Sequence, residues 1–112
     1  MDTIPNPKVR NAVVGTIFGG GTTNGADRKA TNILGKGSYE TVKQDQIKIA
    51  RDMGVDPSSV EAKKNGLEIS SPDGRVTVMA RPTSGKELPT LEVQVKDESG
   101  NVKYKIKRRY EP

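Results

Sequence analysis

Residues 91–110 read LEVQVKDESGNVKYKIKRRY. Two runs that alternate apolar and polar residues flank Asp97-Glu98-Ser99-Gly100, which is the pattern of a β-hairpin. A turn at Ser99-Gly100 sets Val95 opposite Tyr104, Val93 opposite Ile106 and Glu92 opposite Lys107. Apolar meets apolar and acid meets base under one offset, so the register is well specified. Alternation then sends Val102, Tyr104 and Ile106 to one face and Lys103, Lys105, Lys107 and Arg109 to the other. The apolar side has to be covered, which predicts a helix packed on one face of a sheet.

Working back from this hairpin, RVTVMARP (75–82) is a further strand that ends at Pro82, with Ser71-Pro72-Asp73-Gly74 as the turn before it. A three-residue loop there sets Ile69 opposite Thr77, and a two-residue loop sets it opposite Val76. Asn65-Gly66 predicts a two-residue hairpin turn that pairs Lys64 with Leu67, Lys63 with Glu68 and Ala62 with Ile69. A short helix starting at Pro57 is the rival reading. The pairing Lys96–Lys103 follows from the last hairpin and places two like charges together, a contact an anion would relieve.

Before residue 59 the period changes to that of a helix. Ser38 caps a segment whose apolar stripe runs through Tyr39, Val42, Ile49, Ala50 and Met53, with Gln46 interrupting it. Gly54, Val55 and Pro57 end it. Asp45 and Asp52 fall on the wet face. Two shorter helices are predicted in front: one from Asn6-Pro7 through Val9, Val13 and Ile17 to Gly19, and one from Asn24 through Ala30, Ile33 and Leu34 to Gly35. The expected architecture is α+β: N-terminal helices, then a four- to five-stranded antiparallel meander with one helix on it. Residues 1–112 form a single domain, with 1–37 a Gly-rich helical leading segment and 38–112 the core.

The chain of 112 residues is 31% apolar and 4% aromatic, with no Trp and only Phe18 as phenylalanine, so its core is aliphatic. A net charge of +5 favours polyanions. The chain has no Cys and no His, which removes thiol chemistry, the commonest acid–base catalyst and the commonest transition-metal ligand. Neither a metal nor a cofactor is expected. The most apolar run, NAVVGTIFGGG (11–21), is too short to span a membrane.

The candidate site is the cationic side of the sheet. Lys103, Lys105, Lys107 and Arg109 share it with Glu92, Gln94 and Lys96, and Arg75, Thr77 and Arg81 join it from the preceding strand. The loop Thr83-Ser84-Gly85-Lys86 offers hydroxyls, backbone N–H groups and a cation to a phosphate; an ordinary connection is the other reading of it. Glu68 and Glu92 are the acids within strands, and each has a lysine as its expected pairing partner. Four alternating cations also suit an exposed edge strand, where lysine prevents edge-to-edge pairing.

The Gly-rich stretch AVVGTIFGGGTTNGADRKATN, the loop and strand ARPTSGKELPTLEVQ and the ending KYKIKRRY together resemble the C-terminal toxin domain of bacterial contact-dependent inhibition and related polymorphic toxins. The order of elements is similar to the barnase–EndoU–colicin–RelE ribonuclease superfamily. The resemblance implies metal-independent cleavage of tRNA or rRNA, with the ribose 2′-OH attacking the adjacent phosphorus. It implies catalytic roles for Arg81, Lys105, Lys107, Arg109 and Tyr110. Arg81 and Arg109 would stabilise the phosphorane, Lys105 or Lys107 would transfer a proton, and Tyr110 would stack on a base or donate a proton. Thr83, Ser84, Lys86, Lys103, Arg75 and Thr77 would bind substrate. The missing His departs from the barnase and EndoU patterns. The implied partners are RNA, an acidic immunity protein and a host activating factor, for a domain exported within a larger protein and delivered to a target cell's cytoplasm. A non-catalytic nucleic-acid-binding module and a structural or interaction domain with a lysine-guarded edge are the alternatives.

Overall fold

The computed structural model describes residues 30–83 and 88–112, except for the side chains of residues 30–32. The helix predicted from Asn6 and the loop residues Ser84, Gly85 and Lys86 lie outside the described residues. In chain order the elements are β1 (Ala30–Lys36), α1 (Tyr39–Met53), a 3-10 turn (Pro57–Ser59), β2 (Glu61–Lys63), β3 (Gly66–Ser70), β4 (Val76–Arg81), β5 (Thr90–Lys96) and β6 (Val102–Glu111). The class is α+β, with one helix against a six-stranded mixed sheet of order β1-β6-β5-β4-β3-β2.

Helix α1 follows the sequence closely. Ser38 precedes it, and the Ser38 N–H donates to Thr41 Oγ1 at 3.1 Å. Gly54 ends it with φ 82°, a left-handed conformation that costs a residue without Cβ little. The Gly54 N–H donates to the Arg51 carbonyl at 3.0 Å and the Val55 N–H to the Ala50 carbonyl at 2.8 Å, which satisfies two of the helix's terminal carbonyls. Val42, Ile49, Ala50 and Met53 pack against Ile69, Val76, Val78, Ala80, Leu91, Val93, Val95, Ile106 and Tyr110. Burying each large aliphatic residue contributes about 1.5–3 kcal/mol, and this layer is the only apolar core among the described residues.

Gln46 does not interrupt the stripe. It is 3% exposed, and its Nε2 donates to the Leu67 carbonyl at 2.8 Å and the Val78 carbonyl at 3.0 Å. Both amide hydrogens are thereby satisfied inside the core, and α1 is pinned across β3 and β4.

The β5–β6 hairpin has the expected partners Glu92–Lys107, Val93–Ile106 and Val95–Tyr104. Its turn is different. Asp97 closes on Asn101, and a register shift pairs Lys96 with Val102, so Lys103 bulges out. Lys96 and Lys103 are therefore not direct cross-strand partners as expected.

Several other expectations are corrected. Residues 30–36, expected to end a helix, form β1, which pairs parallel with β6. The sheet is thus mixed rather than a pure meander, and β6 is an interior strand between β1 and β5. The β2–β3 turn is Lys64-Asn65, pairing Lys63 with Gly66, Ala62 with Leu67 and Glu61 with Glu68. Gly66 lies inside the ladder, where any Cβ would meet the Ala80 carbonyl oxygen at 2.1 Å, so the position requires a glycine. Pro57 does start a helical turn, but only the 3-10 turn, and β2 follows it. Ile69 pairs with Val78, because the loop after β3 holds four residues closed by Ser71 and Val76. The Ser71 hydroxyl accepts from the Val76 N–H at 3.1 Å and donates to Asp73 at 2.7 Å, which favours this longer loop.

Candidate functional site: a carboxylate ringed by cations on the sheet face away from the helix

The face of the sheet away from α1 can be laid out from the strand registers. Three rows of three residues cross β4, β5 and β6: Arg81, Thr90 and Arg109; Met79, Glu92 and Lys107; and Thr77, Gln94 and Lys105. The inward residues between them, Val78, Ala80, Leu91, Val93, Ile106 and Tyr110, form the core, so these nine point the other way. Glu92 stands at the centre, with Arg81, Arg109, Lys107 and Lys105 around it.

Glu92 is 6% exposed. Arg81 Nη1 lies 3.0 Å from Oε1, and Gln94 Nε2 donates to Oε2 at 2.7 Å. The carboxylate is therefore ionically paired and held at both oxygens, as a buried charge requires. Lys107 is its direct cross-strand neighbour. Lys105, Lys107 and Arg109 are half-buried, their stems flanked on both sides by neighbouring strands. Arg81 Nε is buried and has no hydrogen-bond partner among the described residues.

The interior position of β6 changes the meaning of its lysines. A lysine-guarded edge needs an edge strand, and β6 is paired on both sides. Crowding four cations onto one interior patch is unfavourable in itself, and a bound polyanion would offset the repulsion.

The other predicted site residues are dispersed. Thr77 belongs to the patch, its hydroxyl 3.5 Å from that of Ser70. Lys103 is the exposed bulge residue beyond the patch. Arg75 holds the end of β5, with Nε donating to the Lys96 carbonyl at 2.9 Å. Thr83 is exposed just past β4, beside a groove of about 470 Å3 that Arg81 also lines. Tyr110 lies on the opposite face. It is 1% exposed, and its hydroxyl donates to Asp45 Oδ2. Asp45 is accordingly half-buried rather than on a fully wet face. Burial first, and then the Asp45 carboxylate, push the Tyr110 phenol above its ordinary range. The Arg108 guanidinium sits 5.6 Å from the Tyr110 ring centroid, on the same helix-covered side.

Sequence reasoning undervalued Glu92 and Gln94. The available signal was an acid placed directly between the apolar residues Leu91 and Val93 of a strand, where a charge is costly unless it is paired. Among the described residues no group of three or more acidic side chains converges, and no helix is long and apolar enough to cross a membrane. Comparison of the chain with protein-family models, with curated proteins and with solved structures found no match.

Proposed function

We propose that the sheet face away from α1 binds RNA and cleaves it by attack of the ribose 2′-OH on the adjacent phosphorus. The observation that carries this reading is Glu92, a buried carboxylate fixed by Arg81 and Gln94 in the middle of a cationic patch. A base for the 2′-OH, cations for the phosphorane and a proton donor are what the reaction needs, and this patch holds all three residue types. Glu92 takes the 2′-OH proton as the 2′-O–P bond forms. Arg81 and Arg109 stabilise the charge on the phosphorane. Lys107 or Lys105 gives a proton to the departing 5′-oxygen as the P–O5′ bond breaks. The products are a cyclic phosphate and a 5′-OH. In this reading the domain is a toxin effector acting on tRNA or rRNA in a target cell, and an acidic immunity protein masks the same cations.

Both oxygens of Glu92 already accept hydrogen bonds, which favours as a second reading a non-catalytic RNA-binding module in which Glu92 only spaces the cations. The test is to incubate the protein with total tRNA and rRNA in EDTA and map the ends. Discrete cuts with cyclic-phosphate ends, lost in Lys107→Ala and Arg109→Ala, support the ribonuclease. Salt-sensitive binding without cuts supports the module.

A further inference from the structure

The groove beside the patch has its own chemistry. It lies where the tip of the β2–β3 hairpin, the first turn of α1 and the end of β4 meet, and it is lined by Tyr39, Lys64, Asn65, Arg81, Pro82 and Thr83 among others. Its volume of about 470 Å3 falls within the roughly 300–1,000 Å3 of small-molecule sites, room for one nucleotide rather than a folded RNA. Arg81 belongs to both places. One nitrogen, Nη1, is bonded to Glu92, while Nε is buried without a partner among the described residues. A buried, unsatisfied guanidinium N–H calls for an acceptor.

We infer that this groove is a mononucleotide subsite that receives the residue next to the scissile phosphate. The inference rests on the RNA-cleaving reading for its role, though not for the binding itself. Lys64 and the Arg81 guanidinium, both from residues that line the groove, meet phosphate oxygens. The half-buried Tyr39 ring, already 4.9 Å from Lys43 Nζ, gives an aromatic surface for a base. The Asn65 amide in the exposed turn carries both donors and an acceptor for a base edge, and Thr83 adds a hydroxyl. Base identity would be sensed at this groove and phosphate at the patch.

The probes are the four nucleoside 3′-monophosphates, with inorganic phosphate as the comparison, titrated into the protein and followed by amide NMR shifts. The expected result is saturable shifts at Tyr39, Asn65 and Thr83 with at least one nucleotide, weakened about tenfold in Tyr39→Leu and in Asn65→Ala. Asn65 is an exposed turn residue, so Asn65→Ala keeps the fold even if Tyr39→Leu loosens the start of α1. Equal shifts with inorganic phosphate, or shifts confined to β6, overturn the subsite. RNA cleavage is assayed on the same samples. Cleavage with no nucleotide in the groove sinks the subsite alone, and nucleotide in the groove with no cleavage leaves the subsite and sinks the ribonuclease.

Discussion

Gln46 Nε2 donates to the Val78 carbonyl at 3.0 Å from the middle of the helix's buried stripe. With the second bond to Leu67, one amide joins α1 to two strands. Replacing it by an apolar residue leaves those contacts unmade in the interior. Gln46→Leu is expected to lower unfolding free energy by about 1–3 kcal/mol in urea titrations. A variant as stable as the parent would show that the amide is merely tolerated.

Tyr110 and Asp45 give a pH signature. The folded-state phenol is raised above its ordinary value near 10, so its contribution to stability is complete below pH 10 and declines as pH climbs past that point. Tyr110→Phe should be less stable than the parent by about 1–2 kcal/mol at neutral pH. It should also lack part of the parent's alkaline loss of stability. Parallel stability curves for parent and variant between pH 8 and 11 would refute the assignment.

Gly66 is a close-approach position. A Cβ there would lie 2.1 Å from the Ala80 carbonyl oxygen, which belongs to the β3–β4 ladder and cannot move cheaply. Gly66→Ala is expected to cost more than about 1 kcal/mol and to speed amide exchange in β3 and β4. An unchanged melting temperature would place the real hairpin turn elsewhere.

The cations of β6 should act as phosphate contacts. Each of Lys105→Ala and Lys107→Ala is expected to reduce the slope of log affinity against log salt by about 0.7 for single-stranded RNA. The readout is fluorescence anisotropy over a salt series. Slopes unaltered by these substitutions would move the RNA to another surface.

The β5–β6 pairing and α1 are legible in the sequence because several signals agree there. Charge and apolarity match under one offset in the hairpin, and Ser38, Gly54 and Val55 bracket the helix. Strand β1 is not legible. Ile33 and Leu34 fit a short helical stripe as well as a strand, and the partner that decides between them is a distant parallel strand. Once β1 is missed, β6 looks like an edge, and its lysines acquire a harmless explanation. Glu92 then seems an ordinary strand acid, since its central position depends on the whole sheet. The Arg108-Arg109-Tyr110 cluster misleads in the other direction. A period of two puts Tyr110 with Ile106 on the covered face, away from Arg109.

The most direct test of the central claim compares parent and Glu92→Gln, a substitution that keeps the side chain's shape and one of its two accepted hydrogen bonds but removes the base. Single-turnover cleavage of RNA in EDTA should fall at least about 100-fold, with RNA affinity at the same salt retained. Cleavage by Glu92→Gln at the parent's rate, or a parent that binds RNA and leaves it intact, would contradict the assignment of ribonuclease chemistry to this face.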